Sequence, residues 1–173
     1  MEPSDVILNF LILTIFPACM ALAASMDLIT MTVPNRIPVA LVIGFICLAP
    51  LVGLTLPEIG LQVAFAIAAL VIGFGMFAMG WIGGGDAKLF AATVLWLNPA
   101  ALVTYTMLSA ILGGALTLML LMYRSYPLPA FLMSQDWVAR LHEPREGVPY
   151  GIALAAGGLI AYAQTPFMMA LAG

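Results

Sequence analysis

Charge is what this sequence has least of. Among 173 residues there are 5 Lys and Arg, 8 Asp and Glu and one His, so charged residues make up only 8% of the chain. A soluble domain carries about 25%, and so few polar side chains cannot cover a water-facing surface. The two cysteines, Cys19 and Cys47, stand singly in apolar runs and are read as small buried hydrophobes rather than zinc ligands. With His142 as the one histidine, no protein metal site is expected. The opening stretch MEPSDVILNF has Glu2 and Asp5 but no Lys or Arg. A cleavable signal peptide needs a basic n-region, so the first apolar run is expected to stay in the protein. Short alternating segments, the mark of an outer-membrane barrel, are also missing. No nucleic-acid partner and no cofactor is expected.

What the chain does have is hydrophobicity: 64% of its residues are apolar and its mean hydropathy is +1.14. Runs of about 20 apolar residues, enough to cross a bilayer as helices, recur along it. The expected fold is an all-α polytopic membrane protein, a single membrane-embedded domain over 1–173 with about six transmembrane helices. The segments are read as 6–26, 37–56, 59–82, 87–97, 100–123 and 149–171. Asn98-Pro99 closes the fourth, and a polar loop covers 124–148. Within that loop Asp136 and Arg140 stand four apart, and Trp137, Val138 and Leu141 share a face. These residues read as a short interfacial helix stopped by Pro144. Small residues at helical spacing (Ala69 and Gly73, Ser109 and Gly113, Ala153, Gly157 and Ala161) are read as packing stripes.

Charge orients the bundle. With both termini on the non-cytoplasmic side, the loops 27–36, 80–88 and 124–148 face the cytoplasm. They contain Arg36, Lys88, Arg124, Arg140 and Arg145, every basic residue of the chain. The opposite side receives Glu2, Asp5 and Glu58, as the positive-inside rule requires. An odd error in the number of segments would break this partition. The fourth segment, eleven residues, reaches only about 16 Å, which is half the hydrocarbon core. That shortfall points to a cavity around the glycines before it, because irregular backbone is tolerated at that depth only beside protein or a water-filled space.

Those glycines stand in GWIGGGDAKL, residues 80–89, where Asp86 follows Gly83, Gly84 and Gly85. Asp86 and Asp27 each abut an apolar run, and either alone reads equally well as a helix-end charge. Two crossings separate them, so both are expected at the same cytoplasmic depth. A pair of carboxylates sharing a site cannot both ionise easily. The ionised member can then take a proton from water while the protonated one polarises a peptide carbonyl. The glycines would permit positive φ and let a substrate backbone approach. Asp86 would sit at a helix N-terminus, whose dipole favours the ionised form. Lys88 does not share the helical face of Asp86 and reads first as a snorkelling positive-inside residue.

Three ordered motifs carry a family resemblance. GGGDAK at 83–88 resembles the GxGD motif of type IV prepilin peptidases, which are membrane aspartic proteases. DLITMTVPNR at 27–36 resembles their Asp followed by a Pro-Asn turn, and VPYGIALAAGG at 148–158 their Pro-aromatic-Gly opening of the last helix. The resemblance implies that Asp27 and Asp86 are the catalytic pair. By the same resemblance Pro34, Asn35, Gly83, Gly84 and Gly85 shape the site, and Pro149, Tyr150 and Gly151 support it. It implies a prepilin partner, a short leader followed by a hydrophobic N-terminal helix, cut at the cytoplasmic face of the bacterial inner membrane. The larger members also carry an N-terminal region with paired cysteines and methylate the new pilin N-terminus. The compact form here resembles the Tad/Flp pilus branch, and neither methyltransferase activity nor zinc is expected of it.

Two other classes compete with an enzyme: a small proton-coupled transporter with Asp27 and Asp86 as relay carboxylates, and an inactive assembly protein. Transport predicts midplane acids and often an internal repeat. Both aspartates instead stand at segment ends, and the halves of the chain do not look alike.

Overall fold

Helix forms wherever an apolar run lacks a breaker, and Pro, Gly and Asn set the ends. The computed structural model describes residues 3–144 and 146–171. Its long elements are α1 (Pro3–Thr30), α2 (Arg36–Leu51), α3 (Leu56–Ala78), α4 (Gly84–Val94) and α5 (Pro99–Arg124). The loop carries α6 (Ala130–Met133) and α7 (Asp136–His142), and the chain ends with α8 (Tyr150–Tyr162) and α9 (Pro166–Met169). Among the described residues, three helices are long and apolar enough to cross a membrane: Asp5–Thr30, Leu56–Ala78 and Pro99–Arg124. The apolar helices α2 and α8 are shorter. Glu2 and Arg145 of the charge partition lie outside the described residues.

Local chemistry explains the boundaries. Pro99 sits just inside α5, and Asn98 caps that helix by accepting from the Ala101 N–H at 2.9 Å. Glu58, read above as exterior charge, closes a capping box: its carboxylate takes the Thr55 N–H at 2.8 Å and the Thr55 hydroxyl at 2.6 Å.

Four expectations need correction. The first helix runs a full turn past Asp27, which therefore lies inside α1. The apolar run expected at 149–171 is broken, because Pro166 holds Thr165 in an extended conformation at φ −88° and ψ 158°. Cys47 is exposed on α2 rather than buried. In α7, Val138 and Leu141 are buried but Trp137 faces outward.

The short α4 is the centre of the bundle, packed against α2, α3 and α8. Buried residues Ala87, Leu89, Ala91, Ala92, Thr93 and Val94 surround its axis. At about 16 Å it has no need to span, because protein covers it. Just beyond its end, Trp96 is fully buried among Phe16, Phe45, Tyr162 and Phe167. The Trp96 indole N–H donates to the Leu41 carbonyl at 3.1 Å, and the Tyr162 hydroxyl to that of Ile12 at 3.0 Å. Four helices and the turn after α4 thus lock together at one end, with each aromatic polar group satisfied. Outward faces are apolar, with Val71, Phe74, Ile111 and Leu118 exposed, as for helices facing lipid.

Small residues set the close approaches. A Cβ on Gly157 would come within 2.6 Å of Ser109 Oγ, and one on Gly73 within 3.1 Å of the Ala87 Cβ. Gly113 leaves the slot that the Tyr150 ring occupies, whereas Gly114 beside it has nothing within 4 Å. Gly113→Ala is therefore expected to destabilise the detergent-solubilised protein by about 1–3 kcal/mol. Gly114→Ala should raise stability by about 0.5–1 kcal/mol through helix propensity alone. Chemical unfolding of both variants measures the difference, and equal effects would remove the Tyr150 slot from the packing account.

Candidate active site

Asp27 is 4% exposed, in the last turn of α1. Such a carboxylate needs a donor, and α8 supplies one. The Gly151 backbone N–H donates to Asp27 Oδ2 at 2.7 Å. Pro149, buried, and Tyr150 begin α8 so that the Gly151 N–H of its first turn points at this side chain. Only glycine fits at 151, because a Cβ there would stand 2.8 Å from Asp27 Oδ2 and 3.1 Å from its Cγ. Tyr150, seated against Gly113, donates its hydroxyl to the Ser109 carbonyl at 3.3 Å and ties this corner to α5.

Asp86 occupies the first turn of α4, three residues after the N-cap Gly83. Its carboxylate folds back on the Gly83 backbone, half of a capping box. Its Oδ1 is buried and has no hydrogen-bond partner among the described residues. Asp86 lies within electrostatic reach of Asp27, although the two stand 59 positions apart in the chain (86 minus 27). Each carboxylate faces the positive end of a helix, Asp86 that of α4 and Asp27 that of α8.

The glycine run acts differently from the expectation. None of Gly83, Gly84 and Gly85 has positive φ; in this stretch Gly80 does, at +74°. The room over Gly84 and Gly85 is taken by the chain itself. A Cβ on Gly84 would meet the Phe77 ring at 3.2 Å, and one on Gly85 the Val33 backbone at 3.3 Å. Gly85 thus seats the turn that follows Asp27 directly against the start of α4.

Pro34 and Asn35 belong to that turn. Asn35 Oδ1 accepts from Lys88 Nζ at 2.9 Å, so Lys88 fastens α4 to the beginning of α2 instead of only reaching for the interface. Arg140 does not show its hydrogen bonding within α7: its guanidinium donates to the Ile29 carbonyl at 2.6 Å, near the end of α1. Arg124 holds the same loop by donating to the carbonyls of Leu141 at 2.7 Å and Gly147 at 2.9 Å. Val33, Ser109, Arg124 and Arg140 therefore frame the site, and nothing local in the sequence marks them for it. Their partners lie 17 or more residues away along the chain.

A cavity of about 530 Å³ opens between α3, α4, α5 and α8, and Asp86 and Tyr150 border it. The shortfall of the fourth segment thus does coincide with a cavity, although its walls are apolar. Among the described residues no group of three or more His, Cys, Asp or Glu side chains is placed to hold a metal ion.

A helical membrane bundle that turns one buried and one half-buried carboxylate toward helix N-termini defines a class of membrane acid sites. The chain belongs to the type IV leader peptidase family, whose profile it matches over residues 14–118. That range includes Asp27, the Pro34-Asn35 turn, the glycine run and Asp86, and stops before Pro149, Tyr150 and Gly151. No curated protein and no solved structure gave a significant match.

Gly151→Ala is expected to displace the Asp27 carboxylate while leaving the bundle folded. Peptidase activity should fall about tenfold to a hundredfold, with a lowered but still cooperative melting transition in detergent. Activity at the wild-type level would mean that this close approach does not position Asp27.

Proposed function

We propose that the protein is an aspartic-type endopeptidase that removes the short leader from type IV, Flp-like prepilins at the cytoplasmic face of the bacterial inner membrane. The observation that carries the reading is that buried Asp27 and half-buried Asp86, whose Oδ1 is itself buried, lie within electrostatic reach of each other, inside a chain of the leader peptidase family. The pair shares one proton. The ionised member takes a proton from water, and the resulting hydroxide attacks the scissile carbonyl carbon while the protonated member donates to the carbonyl oxygen. Collapse of the tetrahedral intermediate breaks the C–N bond, and the leaving amine picks up a proton from the dyad. Pro34, Asn35, Lys88 and the glycine run hold the two helix ends in register, and Pro149, Tyr150 and Gly151 hold Asp27.

The reading includes about six crossings with both termini outside, so that the three basic loops face the cytoplasm. It includes no methyl transfer. The pair stands in terminal helix turns beside a loop that this reading places in the cytoplasm, which favours hydrolysis over a proton relay through the membrane.

Asp27→Asn and Asp86→Asn should each leave the protein inserted but slow leader removal from a co-expressed prepilin by roughly a thousandfold. Near wild-type processing by either variant refutes the dyad. Gly85→Val should slow cleavage more mildly by pushing the Val33 turn away. Orientation is tested separately in a Cys47→Ser background: Ser134→Cys should react with an impermeant maleimide in inverted vesicles and not in spheroplasts. The reverse pattern would overturn the cytoplasmic assignment.

A further inference from the structure

We propose that the groove between α3 and α5, floored by α4 and α8, seats the apolar helix of the substrate, which enters sideways from the lipid and presents its cytoplasmic end to Asp86. This rests on the peptidase reading and adds the route by which a membrane-anchored chain reaches the two carboxylates.

Four observations carry it. First, α3 packs on α4 and makes no substantial contact with α5, so the two long helices stand apart with a gap between them. Second, small side chains stand among the larger apolar ones along the walls. Ala68 and Gly73 of α3, Ala87 of α4, and Thr106 and Ala110 of α5 line the cavity of about 530 Å³. Small residues are what allow a further helix backbone to come close in a membrane, where dispersion rather than hydrophobicity drives association. A lipid chain needs no such close approach. Third, among the described residues Asp86 is the one charged residue bordering this groove, and its buried Oδ1 lacks a partner among them. Fourth, the lining follows α3 from Phe65 to Met76, a rise of about 16 Å. That length takes one face of the cytoplasmic half of a single helix and leaves the other face in lipid.

A second cavity, about 910 Å³, lies between α2, α3 and α4. Although larger, it borders Asn35 and Lys88 and reaches neither carboxylate. Continuity with Asp86 therefore selects the α3–α5 groove.

The test uses the full-length protein in membranes with a co-expressed single-pass prepilin. A photo-crosslinking benzoylphenylalanine replaces Ile72 or Ala110, both on the groove and exposed. Controls replace Val71, on another face of α3, or Ile46, in the second cavity. Asp27→Asn is added to hold the substrate uncut. Adducts with the prepilin are expected from Ile72 and Ala110 and roughly tenfold fewer from Val71 and Ile46. Dominant adducts from Ile46, equal adducts from all four positions, or none from Ile72 and Ala110 overturn the groove. In parallel, with both aspartates intact, Ala68→Trp and Ala110→Trp should each lower cleavage by roughly tenfold or more, while Val71→Trp cleaves normally. Full-speed cleavage by both groove variants overturns the groove and leaves the peptidase reading standing. Groove adducts with a prepilin that the wild-type chain never cuts support the groove and defeat the peptidase reading instead.

Discussion

The hydrogen bond from the Gly151 N–H to Asp27 Oδ2, 2.7 Å long, is the contact on which the candidate site depends. A carboxylate 4% exposed in an apolar bundle is costly unless a donor meets it. The donor here is backbone, so the whole N-terminus of α8 must come up against the end of α1. That approach has no room for a side chain at residue 151. It also brings Tyr150 down onto Gly113, and with it α5. One polar contact thereby fixes three helices relative to one another.

Packing is divided between two ends of the molecule. Around Trp96, five aromatic rings interlock, and their indole and phenol donors are both satisfied by carbonyls of other helices. This end sets the position of α4. The other end, where Asp27 and Asp86 meet, is built from glycine, a turn and long-range hydrogen bonds from Lys88, Arg124 and Arg140. A firm aromatic base and an opposite end joined through glycine contacts and single hydrogen bonds divide the work of holding the helices and holding the carboxylates. The weak coupling of α3 to anything but α4 belongs to the same design.

Much of this was legible in the residues. The apolar runs placed every long helix to within a few positions, because a chain with 8% charge has little choice of solvent and helix satisfies its backbone internally. Asn98-Pro99 was legible as the close of the fourth segment, and in the structure the same pair caps and opens α5. The two aspartates stood out because charge is scarce. The break before Pro166 is marked in the sequence by Gln164, Thr165 and Pro166, but the apolar residues on both sides outweigh them in a reading by composition. The role of Gly85 was misjudged because a glycine admits both positive φ and close approach, and sequence does not say which is used. Its neighbour there, Val33, lies 52 positions away (85 minus 33).

The sequence by itself determined the medium, the helical class and which acids are unusual, since these follow from composition and periodicity summed over local segments. Only the tertiary structure decided what those acids touch. It put Gly151 on Asp27, Asn35 on Lys88 and Ile29 on Arg140, pairings 124, 53 and 111 residues apart. It also left α3 and α5 apart beside Asp86. Contacts at such separation are set by how helices of given length and small-residue pattern settle against one another, a property of the assembled bundle that no single segment encodes.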